Sequence, residues 1–482
     1  MFQPETAPSP ESRAGGPSRH DSVPWTSRWR DWGWTIALAA ILVLGGANWT
    51  MPLSRFLAGV IACGVLVAAI AGPRRAGLRM TVPDWLVLAL LGLFAAHLVP
   101  LPPGLWSQLP GREAAALIDR TLFGEPGWRP LSLDPEATLR SLTMLLPAAA
   151  VYLAVRLGDG RRRRALLRGV VVAAALAIVV ALVQFALPGL DGLQFYPDGD
   201  YGKPVGFFTN RNHQATFLLM ALPLAAAWLL SLPGIARGRL ADVILAGLAL
   251  AVAIGALLTA SRSGAALLGP ALAGTWFAWA AARRPAPWAA AAGRPAGWKR
   301  HGPGLLAAAT VLMVAGLVFA LGREGLGGAL ERGDPAGDQR FDFWPHVLAA
   351  AMRFWPLGSG IGTFLQGYEM HEPLEAVSPL YLNHAHNDFL EIFLEAGVPG
   401  LVLAVAGAWE LSVLTWRAWR GRGDRIVPFR DQARLASLAC LLPIAHSLVD
   451  YPLRTVAISA LFALCMAIMA DTGESDDGFT LK

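Results

Sequence analysis

The chain has 482 residues, of which 55% are hydrophobic and 15% charged, with a net charge of +6. Soluble domains carry about 25% charged residues, so this deficit, with the charges gathered in clusters, excludes an ordinary soluble protein of two or three domains. The basic excess lies in short loops, where it sets orientation rather than marking a nucleic-acid surface, and the three cysteines, Cys63, Cys440 and Cys465, fall inside apolar stretches and read as buried packing residues without a disulfide framework.

Residues 1–31, rich in Pro, Ser and charge and without a signal-peptide pattern, read as a disordered cytoplasmic tail. Apolar stretches then recur at 33–49, 54–72, 84–101, 141–157, 166–187, 213–231, 240–259, 264–282, 304–322, 389–411, 434–450 and 455–471. Crossing a hydrocarbon core of about 30 Å takes about 20 helical residues, so the expected fold is an all-α integral membrane protein of about twelve spans. Residues 32–471 form the polytopic membrane domain, and 472–482 form a second cytoplasmic tail.

Alternate loops collect the basic residues: Arg74, Arg75 and Arg79; the run from Arg161 to Arg164; Arg237 and Arg239; Arg283, Arg284, Arg294, Lys299 and Arg300; and Arg417, Arg420, Arg422, Arg425 and Arg430. These loops are expected on the cytoplasmic side, with both termini. The other face carries loops 102–140, 188–212 and, longest, 323–388 between the ninth and tenth spans. The last contains aromatics and the series Gly358, Gly360, Gly362, and is expected to fold outside the membrane, with an amphipathic helix over Phe343–Trp355. No internal repeat is visible, which weighs against a secondary transporter built from two related halves.

Polar residues at membrane depth are costly and therefore candidates for function. A helix from about residue 385 would put Asp388, Glu391 and Glu395 on one face and His386 on a neighbouring face. Glu395 would then lie inside the bundle and need a donor. A neutral His386 imidazole could act as a general base on a hydroxyl. The spacing of His384, His386 and Asp388 also suits zinc, and a plain capped helix start is the structural alternative; with no further His or Cys cluster, no metal and no cofactor are expected. Arg262, in the run Thr259-Ala260-Ser261-Arg262-Ser263-Gly264 between two spans, reads as an anion site or a snorkelling arginine. In Asn210-Arg211-Asn212-His213, Asn212 is the expected N-cap and Arg211 a second cation. Arg340 lies in the long loop, solvent-exposed by default. His446 and Asp450 share a helix face, with Arg454 just beyond, so an Asp–Arg or His–Asp contact is expected. Arginines gathered with a histidine at one membrane boundary suggest a lipid-borne phosphate or diphosphate.

At these residues the chain resembles the O-antigen ligase and Wzy-type polymerase family. His386-Asn387, nine residues, then Gly397-Val398-Pro399-Gly400 is similar to the ligase pattern H-[NSQ]-x9-G-x-x-[GTY]. Arg340, Trp344, Pro356, the glycine series and Phe364 resemble the family's approach to that histidine, and the segments 207–212, 261–264 and 446–453 resemble further family features. The resemblance covers roughly residues 200–455. It implies a membrane glycosyltransferase (GT-C-like) fold in the bacterial inner membrane, with the active site facing the periplasm. Its substrates would be a polyprenyl-diphosphate-linked glycan and a hydroxyl acceptor, either another glycan or lipid A–core, met among membrane lipids without nucleotide sugar. It further implies metal-independent, inverting transfer in O-antigen or exopolysaccharide ligation or polymerisation. His386 matches the essential histidine, and Arg262 and Arg340, with Arg211 nearby, match the diphosphate-binding arginines. His384, Asn387, Glu391, Glu395, Asn212, Asp450 and Arg454 are expected to support them. A flippase or transporter of lipid-linked sugars is the alternative of a different class.

Overall fold

In the computed structural model the described residues are 25–47, 51–73, 78–193, 195–196, 200, 203–232, 235, 238–283, 339–377, 381–420 and 429–477. Helices dominate: α1 (Trp25–Leu44), α2 (Pro52–Ala71), α3 (Val82–Leu98), α4 (Pro103–Trp106), α5 (Glu113–Phe123), α6 (Pro135–Met144), α7 (Leu146–Arg156), α8 (Gly160–Ala186), α9 (Arg211–Leu230), α10 (Arg239–Leu258), α11 (Arg262–Ala282), α12 (Gln339–Arg353), α13 (Phe364–Glu369), α14 (Asp388–Arg420), α15 (Arg430–His446) and α16 (Val456–Asp477). Among the described residues the strands are two-residue pieces, with Pro100 and Leu101 paired antiparallel to Pro130 and Arg129.

Each expected span coincides with a helix, except 304–322, which lies outside the described residues together with 1–24 and 323–338. Among the described residues seven helices, with Pro135–Arg156 taken as one, are long and apolar enough to cross a membrane; α3 and the apolar part of α16 are shorter. Of the eleven spans expected within the described residues, fewer are full-length candidates. Hydropathy and helix ends also diverge. α1 starts at Trp25, inside the stretch read as a tail, and α16 runs on to Asp477, because backbone hydrogen bonding continues where side chains turn polar. Cys63 is exposed on α2, contrary to expectation, while Cys440 and Cys465 are buried; α2 lies at the rim of the bundle and buries only a narrow stripe.

Local chemistry starts the helices. Asp159 accepts from Arg162 N at 2.9 Å ahead of α8, and Asp134 accepts from Ala137 N at 2.9 Å ahead of α6, with Pro135 following the cap. α9 is almost wholly buried and packs against α8, α10, α11 and α15, so its first turn is held from several sides.

The bundle has two polar ends. At one end Arg156 pairs with Asp471 at 2.9 Å and Asp84 at 3.0 Å, Arg163 also pairs with Asp471, and Tyr152 donates to Asp84 at 2.8 Å. These buried charges persist because each has a partner, and they tie α3, α7, α8 and α16 together. α10 runs away from this polarity and α11 returns, so Arg239 and Arg283 share one end and Arg262 lies at the other; Arg283 bonds Gly238 O at 3.2 Å. The far end is capped by residues 97–138. Leu133 N donates to Ser359 O at 2.8 Å, Thr138 Oγ1 to Ile361 O at 2.7 Å, and Arg112 to Gly358 O at 3.0 Å. Burial pulls the Arg112 guanidinium down to about 10. This cap fixes the loop 356–362, on which the next element depends.

Candidate active site

α14 does not begin at residue 385. Asn387 caps it, its Oδ1 accepting from Phe389 N and Leu390 N at 3.0 Å each. His386 therefore stands off the helix, with φ +48°, a left-handed conformation unusual for a residue with a Cβ. Its neighbour enforces this. Ala385 N donates to Glu391 Oε2 at 2.9 Å, and Trp344 Nε1 donates to Ala385 O at 3.0 Å. With both peptide groups of Ala385 held, the histidine has one direction to take. Glu391 also accepts from His384 Nδ1 at 2.7 Å. Glu391 thus orients His384 and the chain leading to His386, and it also holds an arginine, Arg454, at 3.2 Å.

The acidic face of α14 does meet a donor. Arg454, in the turn before α16, lies 3.4 Å from Asp388, 3.2 Å from Glu391 and 3.0 Å from Glu395. Burial alone would lower the Arg454 pKa; the three carboxylates outweigh it and raise the guanidinium above its usual value. Asp388 also accepts from Ser447 Oγ at 2.6 Å. Of the two contacts expected here, His446 Nε2 does stand 3.8 Å from Asp450 Oδ2, whereas Asp450–Arg454 is replaced by this cluster because the i, i+3, i+7 carboxylates converge on one point while Asp450 turns to His386.

α14 breaks at Gly397, with φ +55° and ψ −144°. Pro399 has no N–H to give Glu395 O, and Gly360 N gives one instead at 2.8 Å; Ser359 N reaches Leu394 O at 2.9 Å and Val398 N turns to Pro356 O at 2.8 Å. A Cβ on Gly397 would stand 2.2 Å from Pro356 O. Gly397→Ala is therefore expected to destabilise the protein by about 2–4 kcal/mol. The check is the thermal unfolding midpoint in detergent, and an unchanged midpoint would contradict this reading of the break.

Asp450, fully buried, joins three elements. Its Oδ1 lies 3.2 Å from His386 Nδ1 and accepts from Tyr451 N at 3.0 Å; its Oδ2 accepts from Asn212 Nδ2 at 2.7 Å. A carboxylate facing Nδ1 selects the tautomer with the proton there and leaves the Nε2 lone pair open. Asn212 is not the N-cap of α9. Asn210, in extended conformation, caps it by accepting from Asn212 N at 2.7 Å, which frees the Asn212 side chain for the interior. Its Oδ1 accepts from Ser261 Oγ at 2.7 Å, and Ser261 caps α11 by accepting from Gly264 N at 3.0 Å.

Beside this network lies a cleft of about 300 Å³ lined by Arg211, Asn212, Arg262, Ser263, Ala266, Phe341, Trp344 and Val449. The N-termini of α9 and α11 both open onto it, each bringing its arginine, and both helix dipoles favour an anion there. Phe341, Trp344 and Val449 add an apolar portion to the lining. His386 flanks the cleft through Asp450 and Asn212 on one side and Ala385 and Trp344 on the other. Arg340 lies in the first turn of α12, one turn ahead of Trp344; the expected place of its guanidinium lies outside the described residues. His384, His386 and Asp388 turn to three different partners, and among the described residues no group of three or more His, Cys, Asp or Glu could hold a metal ion. Asn387 bonds Leu448 O at 3.1 Å and so ties α14 to the turn that carries Asp450.

Sequence reasoning missed the bridging roles of Ser261, Ser263, Thr216 and Trp344. Hydroxyls inside otherwise apolar helices were the signal available. No curated protein matches the chain. The stretch 246–405, which contains Arg262, Arg340, His386 and Gly397, matches the family model described as O-antigen ligase, and this match supports assignment of the chain to the O-antigen ligase family.

Proposed function

We propose that the chain is a membrane glycosyltransferase of GT-C-like architecture that moves glycan from a polyprenyl-diphosphate carrier to a hydroxyl acceptor at the periplasmic face of the bacterial inner membrane. The observation that carries this reading is the His386–Asp450 pair, with Nδ1 and Oδ1 at 3.2 Å, set beside a cleft that holds Arg211 and Arg262. The acceptor hydroxyl, hydrogen-bonded to His386 Nε2, attacks the anomeric carbon of the glycan. Its oxygen forms the new glycosidic bond as the bond from that carbon to the phosphate oxygen breaks. The proton passes to Nε2, and Asp450 stabilises the imidazolium that forms. The electron pair leaves with the diphosphate, whose added charge is met by Arg262, Arg211 and the two helix N-termini. The apolar portion of the lining suits the first isoprene units of the carrier, which would enter from the lipid. His384, Glu391, Glu395, Asn387 and Arg454 act through the backbone around His386, and Arg340 is a further diphosphate ligand.

The acceptor class is read from cells. In a strain lacking this chain, full-length glycan retained on the lipid carrier is the result expected of a ligase that acts on lipid A–core. Single unpolymerised repeats would instead assign polymerisation. A glycan profile identical to that of the parent strain would sink the transferase reading.

A further inference from the structure

A further histidine, fully buried, stands behind the cleft. His446, 1% exposed at the end of α15, lies between two hydroxyls. Its Nδ1 meets Thr216 Oγ1, and its Nε2 is 2.7 Å from Ser263 Oγ. Thr216 donates to Asn212 O at 2.9 Å. Ser263 itself lines the cleft, next to Arg262 in sequence.

The hydrogen-bond inventory of this chain decides what Ser263 can offer. A hydroxyl donates once and accepts twice, and a neutral imidazole donates once and accepts once. With the Thr216 proton on Asn212 O, His446 gives its Nδ1 proton to Thr216 and takes the Ser263 proton at Nε2. The Ser263 oxygen then shows the cleft lone pairs alone. Run the other way, Thr216 donates to Nδ1 in place of Asn212 O, Nε2–H donates to Ser263 Oγ, and the Ser263 proton is released to turn to Ser261 Oγ, 3.2 Å away, or into the cleft. Both directions leave each His446 nitrogen with a partner and carry the same number of protons. A phosphate oxygen accepts and cannot donate, so an anion beside Arg262 selects the outward direction. Ser263 also occupies the second position of α11, where the backbone dipole adds to its donor strength.

We propose that Ser263 is a further diphosphate-binding residue, held as a donor toward the cleft by His446, which acts as a positioning residue. This rests on the reading of the cleft as the diphosphate site. Asp450 stands near both histidines, but its Oδ2 is 3.8 Å from His446 Nε2, outside hydrogen-bond reach, so the hydrogen-bond partners of His446 are the two hydroxyls. A neutral hydroxyl behind the His446 imidazole permits reversal, whereas the carboxylate behind His386 locks one tautomer.

The test measures binding of farnesyl diphosphate, and of farnesol as the uncharged control, to the full-length chain in detergent by calorimetry. Ser263→Ala is expected to weaken farnesyl diphosphate about tenfold and to leave farnesol unchanged. Ser263→Thr, which keeps the hydroxyl, should bind within about threefold of the parent. His446→Gln should weaken the diphosphate alone, by less than Ser263→Ala. If Arg262→Ala loses the diphosphate while Ser263→Ala binds as the parent does, the Ser263 assignment is overturned and the cleft reading stands. If neither substitution changes diphosphate affinity, both are overturned.

Discussion

His386→Ala is expected to lower glycan transfer about a thousandfold while the protein still inserts and binds the lipid donor. The imidazole is 20% exposed and lies outside α14, so its loss opens no cavity in the bundle. What disappears is the base that receives the acceptor's proton, an interaction that strengthens only as the glycosidic bond forms. The loss should therefore appear in kcat and not in donor affinity. Asp450→Asn separates orientation from proton transfer. An asparagine oxygen can still face His386 Nδ1, but it supplies no charge to stabilise an imidazolium, and the amide disturbs the Asn212 contact. A large fall in kcat with donor affinity intact is expected again. Transfer by His386→Ala at parental rate would remove the general-base mechanism, and rates unaffected in Asp450→Asn would remove its partner.

Arg454→Met is expected to cost about 3–5 kcal/mol of stability, the usual penalty for leaving buried charge without its partner. The substitution keeps much of the side-chain volume, so the effect comes from Asp388, Glu391 and Glu395, which would repel one another with no cation between them. Arg454→Lys should recover only part, because one ammonium cannot span three carboxylates as a planar fork does. Adding Glu395→Gln to Arg454→Met removes one of the opposed charges and should raise the thermal midpoint above that of the single variant. A midpoint for Arg454→Met equal to the parent's would show that the cluster is not what holds the start of α14. Activity should fall with stability here, since the same cluster positions Glu391, and Glu391 holds Ala385 and His384.

The two expectations draw on different depths of the sequence. The acidic face at Asp388, Glu391 and Glu395 was legible because helical periodicity is local, and the rule that an inward carboxylate needs a donor required a cation nearby without naming Arg454, which was set against Asp450. Which acid Arg454 would choose was not legible. Pairing between segments so far apart in the chain depends on where α16 starts relative to α14, and that is set by packing. The choice of cap failed for a related reason. Asn210 and Asn212 are the same residue type two apart, so local preference does not separate them; the demand of Asp450 for a donor does, because it takes Asn212 inward and leaves Asn210 to cap α9. Likewise Asn387 starts α14 later than local periodicity suggests, and only the hold of Glu391 and Trp344 on Ala385 explains the left-handed turn at His386.

While α4, α5 and α13 lie in stretches read as loops, the sequence by itself determined an all-helical membrane protein, the place of its long apolar helices, the clustering of basic residues in particular loops, and the histidine motif. These follow from hydropathy, from the length needed to cross a bilayer and from charge, all of which act residue by residue along the chain. Tertiary structure alone decided that Asp450 stands behind His386, that Asn212 and Ser261 connect it to the arginine cleft, and that loop 356–362 takes the carbonyls freed at Gly397. The physical reason is that a buried polar group must find a partner, but its identity depends on which helix ends the packing brings within about 3 Å.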